Sequence, residues 1–128
     1  MDEIDKGHKF QLKAIDGDNH QTLQFVKRIG DNYPYNQGVP KSGTTNQEIL
    51  RVLIKRTQYL ETQKSHWINS ICIFLYRLAI YLLELRASNR KNKNLSILTL
   101  WEIENRDVCP KCGHINCDHL SVTVKDTN

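Results

Sequence analysis

Several features that would announce a function are missing from this 128-residue chain. Near Met1 there is no positively charged start followed by an apolar run, so no secretory leader is expected. No nucleophile is paired with a base, no glycine-rich loop is suited to cradle phosphates, and no pair of carboxylates is set for acid and base work. An enzyme is therefore the weaker expectation, and a binding protein the stronger. A strong excess of either charge is also missing, with 18 Lys and Arg against 14 Asp and Glu. A formal net charge of +4 and a pI near 8.9 favour anionic partners without naming nucleic acid. The length suits one small domain with an appendage, with a modest core.

What the chain does have is a concentration of thiols. Three of its four cysteines, Cys109, Cys112 and Cys117, fall in the stretch Cys109-Pro110-Lys111-Cys112-Gly113-His114-Ile115-Asn116-Cys117-Asp118-His119. Two residues between the first pair is the spacing that lets both thiolates grip one zinc ion, which wants four soft or borderline ligands at tetrahedral corners. Pro110 presets a dihedral between them, and Gly113 suits the tight turn behind. His119 is preferred as fourth ligand. His114 is the alternative, but it sits so close to Cys112 that reaching the same ion would strain the loop. The cluster supplies enough ligands to close the shell, which marks a structural zinc rather than a catalytic one; a disulfide or idle thiols is the plainer alternative. Clustered thiols with a lone Cys72 suit a reducing cytoplasm.

Periodicity divides the chain into three parts: 1–43, 44–94 and 95–128. Residues 8–15 alternate, residues 22–29 are rich in strand formers, and Asp16-Gly17-Asp18-Asn19 between them predicts a turn, so the first part reads as an antiparallel β-hairpin. Residues 30–43, with Tyr33-Pro34-Tyr35, read as a loop. Thr45-Asn46-Gln47-Glu48 is a capping box, opening a helix through about Gln63 whose stripe is Ile49, Leu53, Arg56 and Leu60, with Val52 beside it. Ser65 is placed to cap a second helix running to about Arg90, and so short a link predicts an antiparallel helical hairpin. Ile68, Ile71, Leu75, Leu78, Leu82 and Leu85 form the expected seam of that helix, with Ile73, Phe74, Ile80, Tyr81 and Leu83 on its flanks and back. So much apolar surface calls for oligomerisation. A membrane span is disfavoured, because Arg77 lies at the centre with Asn69, Ser70 and Glu84 also in the helix. Leu95 to Ile103 is apolar and short, with Trp101 expected to anchor it, and Ser121-Val122-Thr123-Val124 reads as a last strand. The expected class is α+β: a β-hairpin, a long helical hairpin and a C-terminal zinc-binding loop.

The cations Arg51, Lys55, Arg56, Arg77, Arg86 and Arg90 lie on the two helices. Arg77 interrupts an apolar face and must find a carboxylate or a phosphate; Glu84 and Glu61 are the internal partners in view. The run Gly43-Thr44-Thr45-Asn46-Gln47-Glu48-Ile49-Leu50-Arg51-Val52-Leu53-Ile54-Lys55-Arg56, followed by a helix ending Leu82-Leu83-Glu84-Leu85-Arg86-Ala87-Ser88-Asn89-Arg90, resembles the helical hairpin of small phage proteins that sequester cyclic nucleotide signals, the anti-CBASS and anti-Thoeris sponge proteins. The resemblance covers residues 43–90. It implies a non-enzymatic homo-oligomer in the cytoplasm of an infected host cell, binding cyclic di- or trinucleotides or a cyclic ADP-ribose isomer between subunits. Arg51, Arg56, Arg77, Arg86 and Arg90 would meet the phosphates, and Tyr59 or Tyr33 would stack on the bases. The hairpin in front and the zinc knuckle behind depart from the simplest members.

Two other readings compete. A zinc-knuckle protein would bind nucleic acid through Lys91, Lys93, Lys111, Arg86 and Arg90, but Glu102, Glu104, Asp107 and Asp118 form an acidic collar that repels a phosphate backbone. A zinc-stapled adaptor would inhibit a host protein through the helical surface.

Overall fold

The computed structural model describes residues 1–17, 19–26, 43–110 and 112–116. The chain divides into two compact units, Met1–Asn46 and Gln47–Asn128, so the expected boundary after residue 94 falls inside the second. The class is α+β: a three-stranded antiparallel sheet, then two α-helices.

The sheet has the order β1 (Asp2–Asp5), β2 (Lys9–Leu12), β3 (Gln21–Gln24), one strand more than the expected hairpin. β1 escapes a reading of residue types because Asp2, Glu3 and Asp5 are poor strand formers. Main-chain pairing supplies it instead, with Asp2 opposite Gln11 and Glu3 opposite Phe10, and its acidic side chains keep the exposed edge from recruiting further strands. Gly7 makes the turn possible at φ +73°, donating its N–H to Glu3 Oε2 at 2.8 Å. β2 and β3 pair from Lys9 opposite Gln24 to Leu12 opposite Gln21, so both are shorter than the expected 8–15 and 22–29; residues 27–29 lie outside the described residues. Phe10 and Phe25 meet edge to face at 6.0 Å. Beyond β3, the Val26 N–H donates to the Thr44 carbonyl at 2.9 Å and the Thr44 N–H to the Gln24 carbonyl at 2.9 Å. Gly43 permits that approach, since a Cβ there would stand 2.6 Å from Phe25 C.

In the second unit, α1 (Asn46–Gln63) begins directly after Thr45 and ends where its stripe was expected to end. Its inward face is another one. Gln47, Arg51 and Ile54 are buried, whereas Leu53 and Leu60 of the expected stripe, and Val52 beside it, are exposed, an offset of about 160° round the helix. α2 (Trp67–Arg90) is capped by His66, whose Nδ1 accepts from the Ile68 N–H at 3.1 Å. The expected cap, Ser65, donates its hydroxyl to Glu61 Oε1 instead, while Glu61 Oε2 accepts from the His66 N–H and from Asn69 Nδ2. These bonds, led by that of Ser65, hold the Glu61 carboxyl below its usual range.

α2 also reverses its expected faces. Ile68, Ile71, Leu75 and Leu82 of the expected seam are about half exposed, while Ile80 and Tyr81, assigned to the flanks and back, join Ile54 and Ile103 in the core with Leu50, Ile73, Tyr76, Leu85, Leu95, Leu100 and Ile115 around them. The cause is polar. The face that carries Ile73, Ile80 and Ala87 also carries Arg77 and Glu84, and their partners all lie on that side, as described below. By length and composition α2 is apolar enough to cross a membrane. After it, residues 95–103 form neither strand nor α-helix but two 3-10 turns, Ile97–Leu100 and Ile103–Asn105. Their anchor is Ile103, fully buried; Trp101, the expected anchor, is 73% exposed.

Candidate functional site

Along α1, Glu48, Arg51, Val52, Lys55 and Arg56 recur at three- and four-residue steps and so share one face. Together with Glu104 they line a shallow cavity of about 500 Å³ that is largely open to solvent. Of the α1 residues in this lining, Arg51 is the least exposed, at 8%. Its Nη1 lies 3.5 Å from Glu48 Oε2, but its Nε and Nη2 are buried without a hydrogen-bond partner among the described residues. Each such charged donor left unpaired costs about 1–3 kcal/mol or more, which a chain tolerates best where an anion will arrive. Lys55 Nζ donates to Asn105 Oδ1 at 2.8 Å, a neutral partner that leaves its charge intact. The Arg56 guanidinium stands over the Tyr59 ring at 5.9 Å, and Tyr59 itself is 55% exposed.

Glu104 closes the cavity from the 3-10 turn. Its side chain is 1% exposed and takes a two-pronged grip from Arg77, Nε to Oε1 at 2.8 Å and Nη2 to Oε2 at 2.7 Å, with Gln58 Nε2 adding a bond at 3.3 Å. Burial works against its charge, and the hydrogen bonds from Arg77 and Gln58 outweigh it, holding the carboxyl below its ordinary range. The hydrogen bonds to Glu104 in turn push the Arg77 guanidinium up. Arg77 is thus spent on a partner other than Glu84 or Glu61. The lining carries three cations (Arg51, Lys55, Arg56) and two carboxylates (Glu48, Glu104), an excess of one positive charge that suits an anion, while Arg77 behind it is taken up by Glu104 with Glu102 also in its field.

Of the residues singled out in the sequence, Arg51 and Arg56 meet in this cavity with Tyr59 beside them. Arg86 and Arg90 do not line it; they are exposed near the end of α2. Tyr33 lies outside the described residues. Lys55 and Glu104 were not among the expected site residues. Lys55 carries a signal in its three-to-four-residue spacing from Arg51; Glu104 carries none, since its place depends on how the chain folds back.

A second polar cluster ties the cysteine loop to the helices. Glu84, 1% exposed, accepts from the Ile115 N–H at 3.1 Å and from Gln47 Nε2 at 3.4 Å, and lies 3.4 Å from His114 Nδ1. In the loop itself the Gly113 N–H donates to the Cys109 carbonyl at 2.8 Å, the Cys109 N–H to the His114 carbonyl at 3.0 Å, and Gly113 sits at φ +75°. This tight closure keeps Cys109 and Cys112 on one turn, as the two-thiolate half of a zinc knuckle requires. No group of three or more metal-ligating side chains is assembled among the described residues, and Cys117, His119 and the expected strand at 121–124 lie outside them. No known protein family, characterised protein or solved structure matches the chain.

Proposed function

We propose that this chain is a non-enzymatic binding protein that sequesters a small phosphorylated ligand, a cyclic di- or trinucleotide or a cyclic ADP-ribose isomer, as the phage sponge proteins it resembles do. The observation that carries the reading is Arg51: a guanidinium almost wholly buried, with two nitrogens unpaired among the described residues, on the wall of a cavity shared with Lys55 and Arg56. A phosphate satisfies a fork of that kind in two bonds. Tyr59, exposed beside Arg56, offers a face for a base.

The scaffold in this reading is an antiparallel helical hairpin, supported by Gln47 of α1 reaching Glu84 of α2 and Glu61 of α1 reaching Asn69 of α2. The outward row of Ile68, Ile71, Leu75 and Leu82, with Trp67 and Phe74 beside it, is the surface through which copies would assemble. A structural zinc on Cys109, Cys112, Cys117 and His119 staples the C-terminal part. His119 is preferred over His114, because His114 is already engaged by Glu84 and Gln47.

The test is thermal melting of the full chain with a panel of cyclic di- and trinucleotides and cyclic ADP-ribose isomers. A ligand at a hundred times its Kd adds about 2.7 kcal/mol and raises Tm on the order of 10 °C. Arg51→Gln is expected to abolish that shift. No shift with any member of the panel, or an undiminished shift in the variant, refutes the reading.

A further inference from the structure

We propose that Glu104 is a built-in competitor of the anionic ligand: the segment after α2 delivers a carboxylate into the cation cluster and so sets how tightly the cavity binds and how strongly it discriminates by ligand charge. This rests on the cavity being the ligand site.

Three consecutive residues make the insertion. Ile103 is fully buried in the core, Glu104 enters the cluster, and Asn105 takes Lys55. Glu102, directly before them, adopts φ +53°, a left-handed conformation that a glutamate takes only when its surroundings enforce it. The chain therefore bends under strain to bring Glu104 inward. The carboxylate meets Arg77 as a phosphate would, through a parallel pair of short bonds to the guanidinium edge. It neutralises Arg77 of α2, behind the lining, and lends its negative field to a wall that carries Arg51, Lys55 and Arg56. A carboxylate within several ångströms of a bound phosphate weakens it by about tenfold at the effective dielectric of a partly exposed site. An incoming anion also has an alternative open to it, displacing Glu104 from Arg77, which a more highly charged ligand does more readily.

Titration calorimetry of the full chain tests this with two probes, inorganic pyrophosphate and cyclic di-AMP. Glu104→Gln, isosteric and uncharged, is expected to tighten both by about tenfold, pyrophosphate more than cyclic di-AMP, with a steeper loss of affinity on adding salt. Binding by wild type that Arg51→Gln abolishes but Glu104→Gln leaves unchanged or weakens overturns this inference and leaves the site standing. If no form binds either probe, site and inference fall together. Should Glu104→Gln not fold, Asn105→Asp decides: it breaks no buried pair and gives Lys55 a charged partner, so affinity falls about tenfold, and an unchanged affinity refutes the competition.

Discussion

Replacing Arg77 with methionine removes the cation that makes Glu104 tolerable inside the protein. In the native chain the carboxylate is 1% exposed and held by two bonds from Arg77 at 2.8 and 2.7 Å, with its own main-chain N–H and Gln58 besides. Breaking a fully buried pair by deleting one partner costs about 3–5 kcal/mol, and because the Arg77 side chain is 22% exposed a figure of about 2–4 kcal/mol applies. The sign of the pH dependence is the sharper test. In the native protein the Glu104 carboxyl lies below its ordinary range, so its contribution is fully present above the unfolded value and fades as pH falls through the folded one. In Arg77→Met, burial acts with little to oppose it, the folded value rises above the unfolded one, and acidification through the carboxylate range relieves the strain. Urea unfolding followed by circular dichroism from pH 7 to pH 4 is therefore expected to show wild type losing stability at the acid end and the variant closing much of the gap. The double change Arg77→Met with Glu104→Met should recover most of the loss even at pH 7. A variant within about 0.5 kcal/mol of wild type, or one with the same acid loss, refutes the assignment of Glu104 as a buried, Arg77-dependent charge.

The reversed faces of α2 predict that Ile80→Ala, at a fully buried core position, costs about 3 kcal/mol, whereas Leu75→Ala, at a half-exposed one, costs under about 1 kcal/mol in unfolding experiments on dilute protein. Sedimentation at higher concentration reverses the ranking: Leu75→Asp should lower the assembled mass if copies meet through that row, and equal masses for variant and wild type would count against it. Purified protein is expected to hold about one zinc per chain by mass spectrometry under native conditions. Cys109→Ser should release it and loosen the segment after residue 95 while the helices keep their amide protection; a metal-free preparation with that segment fully protected would contradict the zinc reading.

Local chemistry made much of the chain readable in advance. The capping box placed the start of α1 at Asn46, the polar, cationic exit placed the end of α2 at Arg90, and the turn residues around Gly17 separated two strands, because caps, helix ends and turns are decided within a few residues. The arginines of α1 were legible as candidates for the same reason. Periodicity was less decisive for α2, where apolar residues line opposite sides of one rod. Counting apolar residues favours the seam of Ile68, Ile71, Leu75, Leu78, Leu82 and Leu85, of which Leu85 does pack on the core, yet the opposite side supplies the buried residues, since there Arg77 and Glu84 reach Glu104, Gln47 and the Ile115 N–H. β1 was invisible to residue preference and exists through pairing with β2.

The partner of Arg77 shows why the rest awaited the fold. Glu84 is near in sequence but about 10 Å further along the same helix, beyond a direct grip, whereas Glu104 lies 27 residues away and arrives within 2.7 Å only because Ile103 docks in the core beside it. The buried, half-satisfied state of Arg51 is of the same kind. Residue order determines where helices begin and which cations they carry. Which of those charges is enclosed, paired or left open to a ligand depends on which distant groups the folded chain brings against them, and the cost of burying a charge is settled only there.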